Sequence, residues 1–502
     1  MNYYTKATQQ AIDTWGTDTC LEALRLHTED GEGASTISGY LSNGDTINGA
    51  KLLDAGREIA AASNPPAPQG PQVTYTTAKD TKRARRVWIE GTKLANAGFP
   101  AGTKYDLAIA ESAKRIIIAA NPAGTKTVSS CKRGAKSRPI IDLHSKVIEN
   151  LYAADARIRI TFEQDLITIE EHHEDTGRTV REDQFKRNAK NGTLREASLF
   201  TGGGVSTQAI HEGLGGTGTV KYIAECEMKY VESAGANCLA VDDSTAVLVG
   251  KVEEIEDQFY TDCDVLSFSM PCTKVSKAGK AKHGESEMDS AEVFGVVRAI
   301  RASNPGVIIS ENVVAAQTSP VYQLLRAELR RAGYKVFDQI LDSSHTDSFE
   351  NRPRYWLVAI SEGIAPEHFE VSTVARSGVT LAELLDDDET VASLWADNGY
   401  LNAKEERDLE NGHNFKRQLL TGVETACGVI GRFYNKKRST EPFVTRGTLE
   451  RLFTPAEHAR VKSIPANLIA GLPKSTAHEI MGQSVDYRQP LRIAQTIAAL
   501  FA

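Results

Sequence analysis

Hydrophobic and polar positions change their period several times along this chain. From residue 195 to 360, short apolar runs of strand length recur at Leu199-Phe200, Lys221-Tyr-Ile-Ala-Glu225, Cys238-Leu-Ala-Val241, Val265-Leu-Ser-Phe268, Gly306-Val-Ile-Ile-Ser310, Lys335-Val-Phe-Asp-Gln-Ile340 and Tyr355-Trp-Leu-Val-Ala-Ile360. Helix-length periodic stretches lie between several of them, notably 289–303 and 318–332. Strands alternating with helices predict an α/β fold built on a mostly parallel sheet covered on both faces. Residues 1–62 read instead as short Ala/Leu-rich helices separated by Gly/Asp turns, a plain helical cap or a helix-turn-helix. Asn64-Pro-Pro-Ala-Pro-Gln-Gly-Pro71 lies within a linker over 63–76, because consecutive prolines favour extended geometry and cannot continue a helix. Residues 175–195 are polar and charged and read as a connector.

Between 77 and 175 the pattern repeats itself. Arg86-Val-Trp-Ile-Glu-Gly-Thr-Lys-Leu-Ala-Asn-Ala-Gly-Phe99, Tyr105-Asp-Leu-Ala-Ile109 and Arg115-Ile-Ile-Ile118 are followed by Arg138-Pro-Ile-Ile-Asp-Leu-His-Ser-Lys-Val-Ile-Glu-Asn-Leu151, Arg157-Ile-Arg-Ile-Thr-Phe162 and Leu166-Ile-Thr-Ile169. Both series read strand, short helix, then a two-strand hairpin. One such unit cannot bury its own faces, so two are expected to interlock as a small barrel. Through Trp88-Ile-Glu-Gly91 and Ala97-Gly-Phe-Pro-Ala-Gly-Thr103 the pattern is similar to swapped-hairpin barrels of the AbrB and SymE kind. Those families include DNA-binding dimers, so the resemblance implies a DNA-binding barrel with both halves in one chain; a structural spacer is the other reading.

Length and charge narrow the picture. At 502 residues the chain exceeds what one core usually organises. Its net charge of −8 says nothing in favour of nucleic acid, but residues 77–150 carry 15 Lys/Arg against 6 Asp/Glu. That local excess reads as a phosphate-backbone surface or as a solvated charged face. No apolar run reaches the ~18 residues of a membrane span. The start Met1-Asn-Tyr-Tyr-Thr5 lacks the pattern of a signal peptide, so a soluble intracellular protein is expected. Seven scattered cysteines without C-x-x-C spacing argue against a disulfide framework or a zinc site, and no metal is expected.

In a parallel sheet, ligands bind beyond the carboxyl ends of the strands. Phe200-Thr-Gly202-Gly-Gly204 follows the first strand, and its glycines let backbone approach a ligand. Glu225 closes the second strand about twenty residues later, the spacing of an acidic residue that reaches a ribose hydroxyl. Asp242 and Asp243 follow the third run and suit an adenine amino group. This set fits S-adenosylmethionine as well as NAD, since both carry adenosine. Pro271-Cys272 ends the fourth strand and leads into Thr273-Lys-Val-Ser276-Lys-Ala-Gly-Lys280-Ala-Lys282, a lysine-rich loop. Glu311-Asn-Val313 is expected to follow the next strand, and Arg352 and Arg354 precede the last.

The Pro-Cys pair followed by Ser-x-Ala-Gly-Lys closely resembles the catalytic motif of the cytosine-C5 DNA methyltransferases, and the order and spacing of the other motifs agree over 197–502. The resemblance implies a Rossmann-like methyltransferase core at 195–360, a target-recognition region at 361–445 and closing motifs at 446–502. It further implies that Phe200, Gly202, Gly204, Glu225, Asp243, Pro271 and Ser484 hold S-adenosylmethionine. Cys272 becomes the nucleophile and Glu311 its partner, with Arg352 and Arg354 orienting the carboxylate and base. Lys274, Ser276, Lys277, Lys280 and Lys282 would grip double-stranded DNA. Arg451-Leu-Phe-Thr-Pro-Ala-Glu-His-Ala-Arg460 and Met481-Gly-Gln-Ser-Val485 look like the closing motifs. Thr273, Glu350, Val205 and Gln483 depart from the family pattern without removing a catalytic atom, and Glu350 places a charge where glutamine is usual.

The implied reaction is transfer of a methyl group to C5 of a flipped cytosine, by a monomer in the cytoplasm of a bacterial, archaeal or phage-infected cell. Within the recognition region, His413-Asn-Phe-Lys-Arg417 and Arg432-Phe-Tyr-Asn-Lys-Lys-Arg438 read as DNA-facing. A tRNA cytosine methyltransferase of the same fold and a catalytically idle DNA-binding protein are the alternatives. An orphan or phage-type enzyme and a restriction-system member stay equally open.

Overall fold

The computed structural model describes residues 5–28, 30, 32–41, 48–63, 70–82, 84–133, 136–271, 290–411 and 416–501. The chain divides into two compact units, Met1–His172 and His173–Ala502.

The first unit opens with helices α1 (Lys6–Trp15), α2 (Thr17–Thr28), α3 (Ala34–Leu41) and α4 (Gly49–Ser63), closed around Cys20, Ala23, Ile37, Leu52 and Ile59. Two series of the same element order follow. The first comprises β1 (Gln72–Thr77), β2 (Lys79–Asp80), β3 (Arg85–Glu90), α5 (Thr92–Asn96), β4 (Lys104–Ala110) and β5 (Arg115–Ala120). The second comprises β6 (Lys126–Thr127), β7 (Ser129–Arg133), β8 (Lys136–His144), α6 (Lys146–Leu151), β9 (Arg157–Glu163) and β10 (Leu166–Glu171).

The strands form sheets of order β1-β9-β10-β5-β4-β6 and β2-β3-β8-β7. Equivalent strands pair antiparallel at the centre of each, with Trp88 opposite Asp142 and Ile117 opposite Thr168. The edge strands are exchanged: β1 pairs with β9 of the second series, and β6 with β4 of the first. Period-two alternation sends Val87, Ile89, Ile116, Ile118, Ile141, Leu143, Ile158, Ile160, Ile167 and Ile169 into one shared core.

The second unit begins with α7 (His173–Asn191), so most of the stretch read as a connector is helix. Its composition conceals the packing, because an arginine does much of the burying. Phe185 is fully buried, and Arg181 lies 4.0 Å over Tyr334 and donates to Ser361 Oγ at 2.8 Å and Ala332 O at 2.8 Å.

Then come β11 (Arg195–Leu199), α8 (Val205–Gly213), β12 (Thr219–Glu225), α9 (Met228–Asn237), β13 (Ala246–Val249), β14 (Val265–Phe268), α10 (Ser290–Ser303), β15 (Val307–Val313), α11 (Pro320–Arg331), β16 (Tyr334–Leu341), α12 (Ser343–Thr346) and β17 (Arg354–Ser361). The sheet order is β13-β12-β11-β14-β15-β17-β16, with only β17 reversed.

One expectation fails here. Cys238-Leu-Ala-Val241 forms no strand; Cys238 caps the end of α9 and packs against Gly204, and the third strand is Ala246–Val249. Helix packing buries Cys238 and Ala240 while Leu239 stays exposed, so an apolar run of four is misassigned by its length alone.

Beyond the sheet, α13 (Asp388–Val391), β18 (Ala396–Asp397), α14 (Gly399–Glu410), β19 (Gln418–Leu420), β20 (Pro442–Arg446) and β21 (Leu449–Arg451) form a lobe with a sheet of order β18-β21-β20-β19. Its core holds Leu381, Leu401, Ile430, Tyr434, Phe443 and Phe453. Helices α15 (Pro455–Val461), α16 (Lys474–Gln483) and α17 (Arg488–Ala499) return to the large sheet, where Ile480 and Met481 pack with Val205 and Ala209 and Ile493 packs with Val265.

Candidate functional site

The carboxyl edge of the seven-stranded sheet is built around a turn in which three residues take positive φ, two of them glycine. After β11 the chain bends through Phe200 at φ 53°, Gly202 at φ 56° and Gly204 at φ 84°, where α8 begins. A non-glycine residue at positive φ is a strained feature typical of functional turns. A Cβ on Gly203 would lie 2.6 Å from Ile480 Cγ2, and one on Gly204 2.8 Å from Cys238 Cβ, so α16 and α9 both close directly on the turn. Gly204→Ala is expected to cost about 3 kcal/mol, combining left-handed strain with overpacking, as read from urea unfolding. A variant as stable as the parent would overturn that account.

Glu225, at the end of β12, stitches this turn to the next. Oε2 accepts from Gly202 N at 2.8 Å, and Oε1 accepts from Cys226 N at 2.8 Å and Glu227 N at 3.0 Å. A carboxylate offers about four acceptor positions, so one on Oε2 remains for a hydroxyl. Ser484 ends α16, the helix whose Ile480 and Gln483 approach Gly203 and Gly202, and its hydroxyl donates to Ile480 O at 2.7 Å.

Across the same edge, a cleft of about 330 Å³ brings Phe200, Thr201 and Ser206 together with Ser267, Ser269 and Glu311. Glu311 is the fifth residue of β15 rather than a residue after it, and Arg354 Nε lies 3.1 Å from its Oε1 with both side chains largely buried. Antiparallel pairing of β15 with β17 sets this, since Val313 faces Arg354 and Glu311 faces Trp356. Asn312 next door donates from Nδ2 to Met270 O at 3.1 Å and to the Tyr322 hydroxyl at 3.3 Å, holding the exit of β14. Sequence reading passed over Asn312 as a structural group, although its place between an acid and a valine at a strand end marks it.

Pro271 is exposed at that exit. Cys272, Lys274, Ser276, Lys277, Lys280 and Lys282 lie outside the described residues.

Two expected residues fall elsewhere. Asp243 precedes β13, and parallel pairing of Ala246 with Tyr222 and Val249 with Glu225 puts it toward the amino edge, opposite Glu225. The neighbouring Asp242 acts electrostatically on His211, which is bonded to Glu196 near the start of β11. The residues that do follow β13 are Gly250, whose N–H donates to Glu225 O at 3.1 Å, then Lys251 and the buried Val252. The strand-then-glycine order of Ala246-Val-Leu-Val-Gly250 was the signal for them.

Arg352 is likewise not free for a substrate. It is buried, with Nη1 donating to Ile430 O at 3.0 Å and Glu350 Oε1 at 3.2 Å, and Nη2 to Gly482 O at 3.1 Å. The alternation along Arg352-Pro-Arg354 breaks because residue 352 precedes the strand, and its side chain turns toward the lobe. Arg417 is also buried, in an ion pair with Glu450 and 5.2 Å over Phe443, and so does not face DNA.

Residues 198–499 match the family described as C-5 cytosine-specific DNA methylase. The chain is 24% identical over 313 residues to the type II methyltransferase M.SsoII of Shigella sonnei, covering 59% of this chain and 78% of that protein. It is 26% identical over 242 residues to the type II methyltransferase M.NlaX of Neisseria lactamica, covering 47% and 76%. Among solved structures, the S. pombe Dnmt2 methyltransferase superposes with a TM-score of 0.49 at 16% identity, covering 61% of this chain and 98% of that one.

Proposed function

Because this chain belongs to the C-5 cytosine-specific DNA methylase family, we propose that it carries a methyl group from S-adenosylmethionine to C5 of a cytosine flipped out of duplex DNA, through a covalent bond from Cys272 Sγ to C6. The observation that carries this reading is the cleft itself, where the Phe200 turn and the Glu311–Arg354 pair share one sheet edge with the exit of β14.

The edge suits the methyl donor. The glycine turn lets backbone approach closely, Glu225 retains an acceptor for a ribose hydroxyl, Phe200 lines the cleft, and Ser484 is assigned to the methionine end. Bound there, the donor supplies an electrophilic methyl group. C5 and C6 of a stacked cytosine are out of reach, hence the flip. The Cys272 thiolate adds to C6, Glu311 hydrogen-bonds or protonates N3, and the displaced electron pair at C5 takes the methyl. Loss of the C5 proton to a base and expulsion of the thiolate restore the ring. Arg354 positions Glu311, and Lys274, Ser276, Lys277, Lys280 and Lys282 are assigned to phosphates.

The duplicated segment 72–171 is read as a second DNA-holding surface. Its exchanged edge strands support the resemblance to AbrB and SymE barrels. On the outer face of its four-stranded sheet, Lys79 and His144 flank Arg86, which lies 4.0 Å over Trp88. In the recognition lobe, Lys436 and Arg438 surround Phe433 at 4.6 and 4.9 Å, a cationic and aromatic group suited to the DNA backbone. As its relatives are named, the enzyme is read as a type II methyltransferase of restriction-modification kind, expected in the cytoplasm as a monomer.

The test is transfer of labelled methyl from S-adenosylmethionine to unmethylated duplex DNA, with the modified positions mapped. Label at cytosine C5 supports the reading. Label confined to tRNA, or none on diverse DNA, overturns it.

A further inference from the structure

A buried charge cluster lies where the recognition lobe, the strand carrying Arg354 and the returning helices meet. Glu350 stands where the family pattern has an uncharged glutamine, yet its side chain is wholly buried. Lys462, also wholly buried, places Nζ 2.8 Å from Glu350 Oε2 and donates to Ser484 O at 2.9 Å. Glu350 Oε1 accepts from Ile430 N at 2.7 Å. Arg352 completes the bridge by donating to both Ile430 O and Gly482 O. Backbone packing is equally close, since a Cβ on Gly482 would lie 2.2 Å from Gly431 O.

Buried charges are costly unless paired, and removing one partner is worse than removing both. A pair with one member before β17 and the other after α15 therefore does something an apolar pair would not. Glu350 accepts from Ile430 N in the lobe while Lys462 donates to Ser484 O at the end of α16, so the pair ties two backbone segments together. The second segment borders the glycine turn, because Ile480 packs on Gly203 and Gln483 Nε2 would lie 3.5 Å from a Cβ on Gly202.

We propose that Glu350 and Lys462 are positioning residues for the methyl-donor site: their buried ion pair locks the recognition-lobe turn at Ile430–Gly431 to the closing turn at Gly482–Ser484, so that the lobe and the donor pocket are held in one register. The charge at Glu350 is then compensated in place by Lys462. The proposal rests on the donor site argued above.

The test compares Glu350→Gln, Lys462→Met and the double variant with the parent in the full chain. Equilibrium dialysis with S-adenosylhomocysteine and urea unfolding are the readouts. Each single variant is expected to weaken S-adenosylhomocysteine at least about tenfold and to lower the urea midpoint. In the double variant neither Glu350 nor Lys462 is left without the other, so its losses are expected to be smaller than the product of the two single losses, although Arg352 also loses Glu350. Strictly multiplicative losses in the double variant overturn the lock. Unchanged S-adenosylhomocysteine affinity in all three, with only the midpoint moving, reduces the pair to a structural role and also overturns it. If Glu350→Gln does not fold, Lys462→Met against the double variant carries the same comparison. A parent that binds S-adenosylhomocysteine yet methylates nothing sinks the functional reading and leaves the lock to be judged on these two readouts.

Discussion

Cys272→Ala is expected to lower methyl transfer to duplex DNA by more than about 10³-fold, on the scale at which loss of a covalent nucleophile acts. C5 of cytosine is a poor nucleophile until a group has added at C6, and no other described cysteine is poised to replace Cys272. Cys263 is fully buried, and burial drives its thiol far above the ordinary range. Cys238 is buried against Gly204, and burial raises its thiol to about 11. Cys226 is exposed near the edge, but burial of its thiol and the adjacent Glu225 carboxylate raise its pKa. A thiol with a raised pKa supplies little thiolate at neutral pH. The variant should still bind DNA and S-adenosylhomocysteine as the parent does, since the nucleophile acts after both are seated. Residual transfer within tenfold of the parent would show that the adduct forms elsewhere or not at all.

Glu311→Gln is the second large effect, expected to cut kcat by about 10²–10⁴-fold, the usual worth of a positioned proton donor or acceptor. Glutamine preserves shape and one hydrogen-bonding oxygen, so β15 and its pairing with β17 should survive. It cannot deliver a proton to N3, and it removes the negative charge that faces Arg354 at 3.1 Å. Single-turnover rates on a fixed duplex separate this from weaker binding. A drop in DNA affinity with an unchanged chemical step would make Glu311 a binding residue and leave the proton source unassigned. Asn312→Ala should lower the same rate more mildly by releasing Met270 O, because it acts on β14 rather than on the base.

Much of this site is legible in the residues themselves, for a local reason. Phe200, Gly202, Gly204, Glu225 and Pro271 each stand at or just beyond the end of an apolar run, and a parallel sheet gathers such ends at one edge whatever the details of packing. The alternating strands of the first unit are written in the same local code, since period-two burial needs only neighbouring residues.

What the chain alone misplaced depended on partners distant in sequence. Cys238-Leu-Ala-Val241 only ends α9, with Cys238 buried against Gly204 and Leu239 exposed, so Asp243 was assigned to the wrong sheet edge and Lys251 and Val252 were overlooked. His173–Asn191 looks like a connector because its buried anchor is an arginine satisfied by Ser361 and Ala332 O. Arg352 reads as a second orienting group, yet its direction is decided by Ile430 and Gly482. By itself the sequence determined the family and most of the strand ends at which the proposed chemistry is placed, because strand ends and motif spacing are short-range properties. Tertiary structure alone decided which charges reach the cleft and which are spent inside, because a buried ion is placed by whichever distant backbone and countercharge can satisfy it.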